Sequence, residues 1–486
     1  MNEFGLSITD SSGHILTIKE VKDSYNFSHV ITKELGKGGQ GVVCKTENPE
    51  LVLKFILNKE NHVIRKDKNK ELFNKYLQKI KGILTKPFPH QLHLAIPMAY
   101  LQDFSGYVMR MMGEMICFQE LFRIDIFPET GGHRRRFEFL SRLASLLARI
   151  HGRGMVYCDI SPNNVFISAI PDIKPQNVWL IDSDNIFIPG FDDAHSVYTP
   201  RYAAPELFEG KPCSQSSDAY SFAVLAFECL AILHPFEGKK TTNWEDEDID
   251  AWDTTNSLST TKSVPEIDTR YSGKHPWVED PEDDSNHTEA GFPRQYFLSE
   301  ETFSLFNTTF TIGKADTSRR PAMVLWARAF AQSFDRSVKC NQCGMSFIYE
   351  EGSVDCPWCQ ETIAPRLVFK SKGQIIFIRE LDSTKEEWIQ LPERLFTPFH
   401  INTNWKPVLE FQSGKNCIES IKFKTISSIT ENFYIHFSNA KRTKIKGQYE
   451  LVFKANETYS LEYEPLGGGS TKKLDFEIIG EKQDDY

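Results

Sequence analysis

No apolar run in this chain is long enough to cross a bilayer. The longest, Phe222 to Leu233, is broken by Glu228 and falls well short of the roughly 20 residues a membrane helix needs. Basic excess is missing as well: 56 Lys and Arg stand against 66 Asp and Glu, a formal net charge of −10. That balance argues against a general nucleic-acid binder, and the basic runs Arg134-Arg135-Arg136 and Arg65-Lys66-Asp67-Lys68 then read as solvated helix faces. No charged-then-apolar leader is visible at the start of the chain. Cys44, Cys117, Cys158, Cys213, Cys229 and Cys417 are scattered singles without a disulfide framework, so reduced, cytoplasmic surroundings are expected. What is present is ordinary for a globular protein, 40% hydrophobic and 25% charged residues. At 486 residues the chain exceeds what one core covers, and two or more domains are expected.

Five short motifs follow one another in a definite order: Gly36-Lys37-Gly38-Gly39-Gln40-Gly41-Val42-Val43, Val52-Leu53-Lys54, Asp159-Ile160-Ser161-Pro162-Asn163-Asn164, Leu180-Ile181-Asp182 and Ala204-Pro205-Glu206. Each alone is weak, and the glycine motif by itself fits dinucleotide folds and plain turns equally well. Together they supply what phosphoryl transfer from ATP to a hydroxyl requires: a phosphate cradle, magnesium ligands and an aligned nucleophile. Gly36, Gly38 and Gly41 let backbone approach phosphates. Lys54, after the apolar stretch Leu51-Val52-Leu53, reads as a strand residue aimed at the α/β-phosphates. Asp159 is placed to orient the hydroxyl and accept its proton. Asn164, five positions on, and Asp182, ending the strand Val178–Ile181, would hold the magnesium (or manganese). Val42 and Val43 continue into a second strand instead of opening a helix, which argues against a dinucleotide crossover.

On these residues the stretch from about 30 to 335 resembles a eukaryotic-type (Hanks-like) protein kinase domain, an α+β bilobal fold with a β-rich small lobe and a helical large lobe. Thr199–Glu206 is similar to the end of an activation segment, Asp218–Val224 to the start of the buried central helix, and His234-Pro235-Phe236 to the loop after it. His151 matches the lead-in to the catalytic loop. The resemblance implies that Arg320 pairs with Glu206, that Met109 is the gatekeeper, and that Arg110 and Met112 meet adenine through their backbone. Val43, Val52 and Phe166 complete the nucleotide-contacting set it implies.

Departures from that pattern are equally informative. Tyr157-Cys158-Asp159 lacks the arginine that clamps a phosphorylated activation loop, so activation by loop phosphorylation is not expected. Ser161 stands where a lysine is usual, and Asp182-Ser183-Asp184 replaces Asp-Phe-Gly. Asp184 is either an additional metal carboxylate or a turn aspartate bonding its own backbone. For Lys54's ion-pair partner, Phe73, Leu77, Ile80 and Leu84 give a helical 4-3-4 spacing around residues 61–84, and Glu71 lies at the family distance. It is the choice here, with a solvated surface charge as the alternative.

An acidic insert, about 238–291, carries Trp244, Trp252 and Trp277. Either these tryptophans anchor a partner with a basic surface or the insert folds back and buries them, the option slightly favoured. Cys340-x-x-Cys343 and Cys356-x-x-Cys359, with no export signal before them, have the spacing of a four-thiolate structural zinc ribbon at 336–364; disulfides are the disfavoured alternative. Beyond it the pattern turns to period two. Leu367–Phe369, Gln374–Ile378, Phe433–Phe437, Tyr449–Phe453 and Tyr459–Tyr463 read as strands of an all-β sandwich-like interaction domain at 365–486.

The whole combination looks most like serine/threonine kinases of bacterial tellurium-resistance and stress operons. That resemblance implies a protein substrate, which could be a neighbouring von Willebrand factor A protein, and a cognate phosphatase; neither membrane nor nucleic acid is implied. A kinase-like scaffold acting through its C-terminal modules and a small-molecule phosphotransferase are the competing classes. The stretch Thr199–Glu206 speaks against the second, which lacks such a substrate platform.

Overall fold

The computed structural model describes residues 6–9, 15–38, 41–58, 60–86, 88, 92–171, 175–190, 192, 197–242, 271, 273–382, 387–397, 405–414, 419–426, 432–454, 457–464 and 472–480. Gly39, Gln40, Trp244, Trp252 and the acidic run between 244 and 248 lie outside them, as does Cys417.

A six-stranded antiparallel sheet forms the first lobe, its neighbours running in the order Glu20–Lys22, Ser28–Gly38, Gly41–Thr46, Leu51–Ile56, Gly106–Arg110 and Ala99–Tyr100. The domain boundary expected at residue 30 is therefore moved: Glu20–Lys22 joins this sheet by pairing with Ser28–Val30. Alternation along Leu51–Ile56 divides its side chains. Leu53 and Phe55 enter one apolar cluster, while Val52 and Ile56 face another built with Phe73 and Ile80 of the helix Lys70–Leu84. Lys54, two residues from each of the latter pair, shares the helix-covered face. That helix starts at Lys70 and not at 61, because Asn69 caps it by accepting the Leu72 N–H at 3.0 Å. Its inward residues are Phe73, Ile80 and Ile83, whereas Leu84 is exposed.

The second lobe is helical. Gln215–Ala231 runs through its centre with every residue from Ser217 to Ala231 buried. Ser214 and Ser217 form a reciprocal capping box at its start. Helix Gly132–His151 packs beside it and along Met323–Asp335. Here the basic run departs from the sequence expectation. Arg136 is fully buried and Arg135 is 5% exposed, because their guanidinium groups find carbonyl oxygens of Leu121, Thr130, Gly132 and Ser168, and Arg136 stacks on Phe127. Of the insert's tryptophans, Trp277 is fully buried against Phe227, Phe303 and Phe310, so this end of the insert folds back on the lobe.

Strands Ser337–Lys339 and Ser346–Ile348 pair and carry the first cysteine knuckle between them. Two further sheets follow. One has six strands, Gln374–Glu380, Arg366–Ser371, Lys472–Ile479, Tyr459–Glu464, Asn432–Phe437 and Arg442–Lys444 in spatial order; the other has four, Ile389–Pro392, Pro407–Ser413, Ser420–Thr425 and Gln448–Val452. They enclose one core that includes Phe369, Phe411, Phe423, Leu461 and Phe476.

This C-terminal part is fastened to the helical lobe. Arg134 forms a fork with Glu380, 2.9 Å at Nη1 and 2.5 Å at Nη2, and Arg394 pairs with Asp335 at 2.6 Å. Trp405 lies edge-on to Phe334 at 4.9 Å and is flanked by the guanidinium groups of Arg142 and Arg394.

Candidate active site

The loop between the helix ending at His151 and the strand Val165–Ser168 is held from below by one carboxylate. Asp218, fully buried in the central helix, accepts the N–H of Tyr157 and of Cys158, both at 2.8 Å, and Nε2–H of His151 at 2.9 Å. Pinned in this way, Cys158 adopts φ +79°, a left-handed conformation unfavourable for a side chain with a Cβ. The turn it makes delivers Asp159 into the space between the lobes.

Asp159 is 7% exposed, and both its oxygens are engaged. Oδ1 accepts the hydroxyl of Thr199 at 2.8 Å, and Oδ2 accepts Asn164 Nδ2 at 2.9 Å. Burial raises its pKa above the usual carboxylate value, only partly opposed by those two hydrogen bonds. Asn164 Nδ2 also donates to the Asp159 carbonyl at 2.9 Å. Both partners are acceptors, which fixes the amide's orientation and leaves Oδ1 as the side-chain atom that could hold a cation. The Ile181 N–H donates to the Asn164 carbonyl at 3.0 Å, so the strand ending at Leu180 sets Asp182 next to Asn164. Asp182 itself has φ +53°.

Lys54 crosses from the other lobe. Its Nζ lies 2.7 Å from Asp182 Oδ1 and 3.1 Å from Asp184 Oδ1, joining residues 128 and 130 positions apart. Burial alone would lower the ammonium pKa, but the charges of Asp184 and Asp182 outweigh it and hold Lys54 well above its usual value. Glu71 does not make this pair. It sits in the exposed first turn of the helix Lys70–Leu84, and the helix packs Phe73, Tyr76, Leu77 and Ile80 against the sheet instead. Asp184 is 7% exposed and meets the Tyr107 hydroxyl at 3.4 Å, so it is a buried partner and not a turn residue bonding only its own backbone.

The remaining expected contacts fall on or beside the strands of the first lobe and on Val165–Ser168. Gly36 and Gly38 are exposed in the hairpin, with open space where a Cβ would stand. Gly41 is different: a Cβ there would fall 2.6 Å from the Phe55 carbonyl and 3.2 Å from Lys54 Cε. Its need for glycine therefore comes from the neighbouring strand and the lysine itself. Val52 pairs across the sheet with Met109, and Val43 pairs with Lys54. Arg110 is exposed, Met112 half-buried, and Met111 N–H is already bonded to Glu50 O at 2.7 Å. Phe166 is half-buried on the strand between Cys117 and Trp179.

Beyond the loop, Arg320 grips Glu206 with two bonds of 2.7 and 2.8 Å. Two contacts were not foreseen from the sequence. Asp218 was placed only at the start of the central helix, and Thr199 only within the activation-segment motif. Nothing in the spacing tells that one anchors the loop and the other bonds Asp159.

Cys340, Cys343, Cys356 and Cys359 converge, with all four sulfurs within 4.8 Å of one another. Two of the separations are 3.7 Å (340 to 359) and 3.8 Å (343 to 356). A tetrahedron with Zn–S bonds of about 2.3 Å has edges of about 3.8 Å, whereas a disulfide needs about 2.05 Å. The donor set fits a tetrahedral metal.

Comparison with known proteins agrees with this geometry. The family described as protein kinase domain matches residues 29–323. Over 243 residues the chain is 25% identical to the serine/threonine-protein kinase PknD of Chlamydia felis, covering 43% of this chain and 25% of that protein. Over 117 residues it is 34% identical to the serine/threonine-protein kinase pkn2 of Myxococcus xanthus, covering 23% and 14%. A probable serine/threonine-protein kinase of Dictyostelium discoideum is 29% identical over 219 residues, covering 42% and 37%. The matched stretch thus spans from about a seventh to just over a third of these relatives.

Proposed function

We propose that this chain, which belongs to the protein kinase domain family, transfers the γ-phosphate of ATP to a serine or threonine hydroxyl of a protein. What supports it above all is the meeting of Lys54, Asp182, Asn164 and Asp159 in one space, although they lie up to 128 residues apart. Thr199 adds to this, because its hydroxyl lies 2.8 Å from the Asp159 carboxylate, within reach for a base that must contact the hydroxyl it deprotonates.

In this mechanism Lys54 binds the α/β-phosphates, and the hairpin of Gly36, Gly38 and Gly41 covers them, with Val43, Val52, Met109, Arg110, Met112 and Phe166 around the base. A magnesium ion held by Asn164 Oδ1 and Asp182 would neutralise charge on the β- and γ-phosphates. Asp159 orients the incoming hydroxyl and takes its proton. With Cys158 where the family carries arginine, the loop has no cation there for a phosphate, so activity does not depend on activation-loop phosphorylation. Cys340, Cys343, Cys356 and Cys359 would hold a zinc ion in a structural and not a catalytic role, since four thiolates complete a tetrahedral set. From the motif resemblance we extend the proposal to bacterial stress signalling, with a von Willebrand factor A protein and a phosphatase as partners.

The test is phosphate incorporation from labelled ATP with magnesium and a generic protein substrate. Asp159→Ala should lose about a hundredfold or more, on the order of ~3 kcal/mol of barrier. Equal incorporation by variant and wild type would reject Asp159 as the base.

A further inference from the structure

The buried lysine of this site has two carboxylate neighbours, and they are not equivalent. The Asp182 side chain is 20% exposed and that of Asp184 9%. Asp182 opens toward the space beside Asn164, where a cation would draw it. Asp184 sits behind. Its Oδ1 meets both Lys54 Nζ and the Tyr107 hydroxyl, and Tyr76 of the helix is close enough that Asp184's charge adds to the burial that raises its pKa. Ser183 fixes the turn between them by donating to the Ala95 carbonyl at 2.7 Å. If Asp182 were the lysine's only partner, engaging a cation would strand a buried ammonium, a costly state.

The helix Lys70–Leu84 offers no substitute. Its acid Glu71 is in the exposed first turn, and its inward side is Phe73, Tyr76, Leu77 and Ile80. We propose that Asp184 is the positioning residue that holds Lys54 for the phosphates of the nucleotide, taking the place of a helix glutamate. The lysine is then fixed by the same turn that carries Asp182, independently of where the helix sits. This rests on the nucleotide-binding role proposed above for Lys54, and it assigns Asp184 to the lysine instead of the metal.

ATP binding measured by calorimetry on the full chain, with EDTA and then with magnesium, separates the possibilities. In EDTA, Asp184→Asn should weaken ATP binding roughly tenfold, Lys54→Met similarly, and the double variant no further than Lys54→Met alone. Glu71→Gln, an exposed substitution that folding tolerates, should bind ATP as the wild type does. Asp184→Asn binding normally in EDTA and failing only with magnesium would overturn the proposal and make Asp184 a metal ligand. Additive losses in the double variant would overturn it as well. So would Glu71→Gln falling to the level of Lys54→Met, an arm that decides the matter even if Asp184→Asn does not fold. A wild type that binds no ATP in either buffer would sink the kinase proposal, and this one with it; normal wild-type binding with an unaffected Asp184→Asn would sink this one alone.

Discussion

Replacing Asp218 by asparagine changes no volume and should nevertheless disable the loop that carries Asp159. The carboxylate accepts three hydrogen bonds, from Tyr157 N, Cys158 N and His151 Nε2, and is fully buried. An amide keeps one oxygen and turns an NH2 toward donors that now have no acceptor. If the remaining oxygen serves Cys158, two charge-assisted bonds at about 1.5–3 kcal/mol each are lost, so roughly 3–6 kcal/mol is at stake before relaxation. Domains of this kind are stable by about 5–15 kcal/mol, so the variant should fold but unfold at lower urea. The second consequence is local. Cys158 is kept at φ +79° by that contact, a backbone state costing on the order of 1–3 kcal/mol, and without the anchor the turn should relax. A displacement of the proposed base Asp159 by about 1 Å should cost about a hundredfold. Urea unfolding and kcat/KM on the same preparation check both effects. A variant within about 0.5 kcal/mol of wild type, with kcat/KM intact, would refute the claim that Asp218 positions the catalytic loop.

Three further outcomes follow from the same geometry. Arg320→Leu or Glu206→Leu alone strands a buried charge and should cost about 3–5 kcal/mol in urea unfolding, while the double variant should cost clearly less than the sum. His234 is buried as the neutral tautomer, donating from Nε2 to the Arg201 carbonyl and accepting the Phe236 N–H at Nδ1. Burial and then the Arg201 charge push its pKa down from 6.5 to about 3. The unfolded chain takes up a proton there that the folded one refuses, so stability should fall as pH drops from 6.5, by roughly 2 kcal/mol at pH 5. His234→Gln should flatten that slope in urea titrations at pH 7 and pH 5. Chelation should lower the melting temperature and change the emission of Trp358, which neighbours Cys359 and packs on Phe292 and Tyr296. An unaltered melt, with all four ribbon thiols titratable, would contradict a structural metal.

The parts of the site that depend on local pattern were legible in the chain. Alternation along Leu51–Ile56 places Lys54 beside Val52 and Ile56, and the five-residue step from Asp159 to Asn164 closes a loop whose ends bond each other. Glu71 failed because helical spacing gives a face but not a start. With the cap at Asn69, Glu71 falls in the first turn, on the open side. The run Arg134-Arg135-Arg136 failed for another reason. Charge suggests solvent unless acceptors are known, and these come from residues as remote as Glu380 and Ser168. Strands Ser420–Thr425 and Lys472–Ile479 carry only two buried apolar residues each, Ile421 with Phe423 and Leu474 with Phe476, too short an alternation to stand out in the chain.

One helix connects these separate observations. Gly132–His151 begins against the strand Ser346–Ile348 of the four-cysteine segment, where a Cβ on Gly132 would fall 2.6 Å from Ser346 Oγ. There the Arg134 N–H bonds that same Ser346 oxygen at 2.8 Å, and its guanidinium holds Glu380 of the β-domain. It ends at His151, whose ring bonds the Asp218 that anchors the catalytic loop. Only Arg336 stands between the helix Met323–Asp335 and the first ribbon strand, and Asp335 itself pairs with Arg394. The four-cysteine segment is consequently part of the large lobe's framework and not a bead on a tether. Its cysteines and Asp159, the proposed base, are about two hundred residues apart in the chain, yet they sit at opposite ends of a single helix. No periodicity or motif spacing encodes that relation, because it is fixed by partners that meet only once both halves have folded.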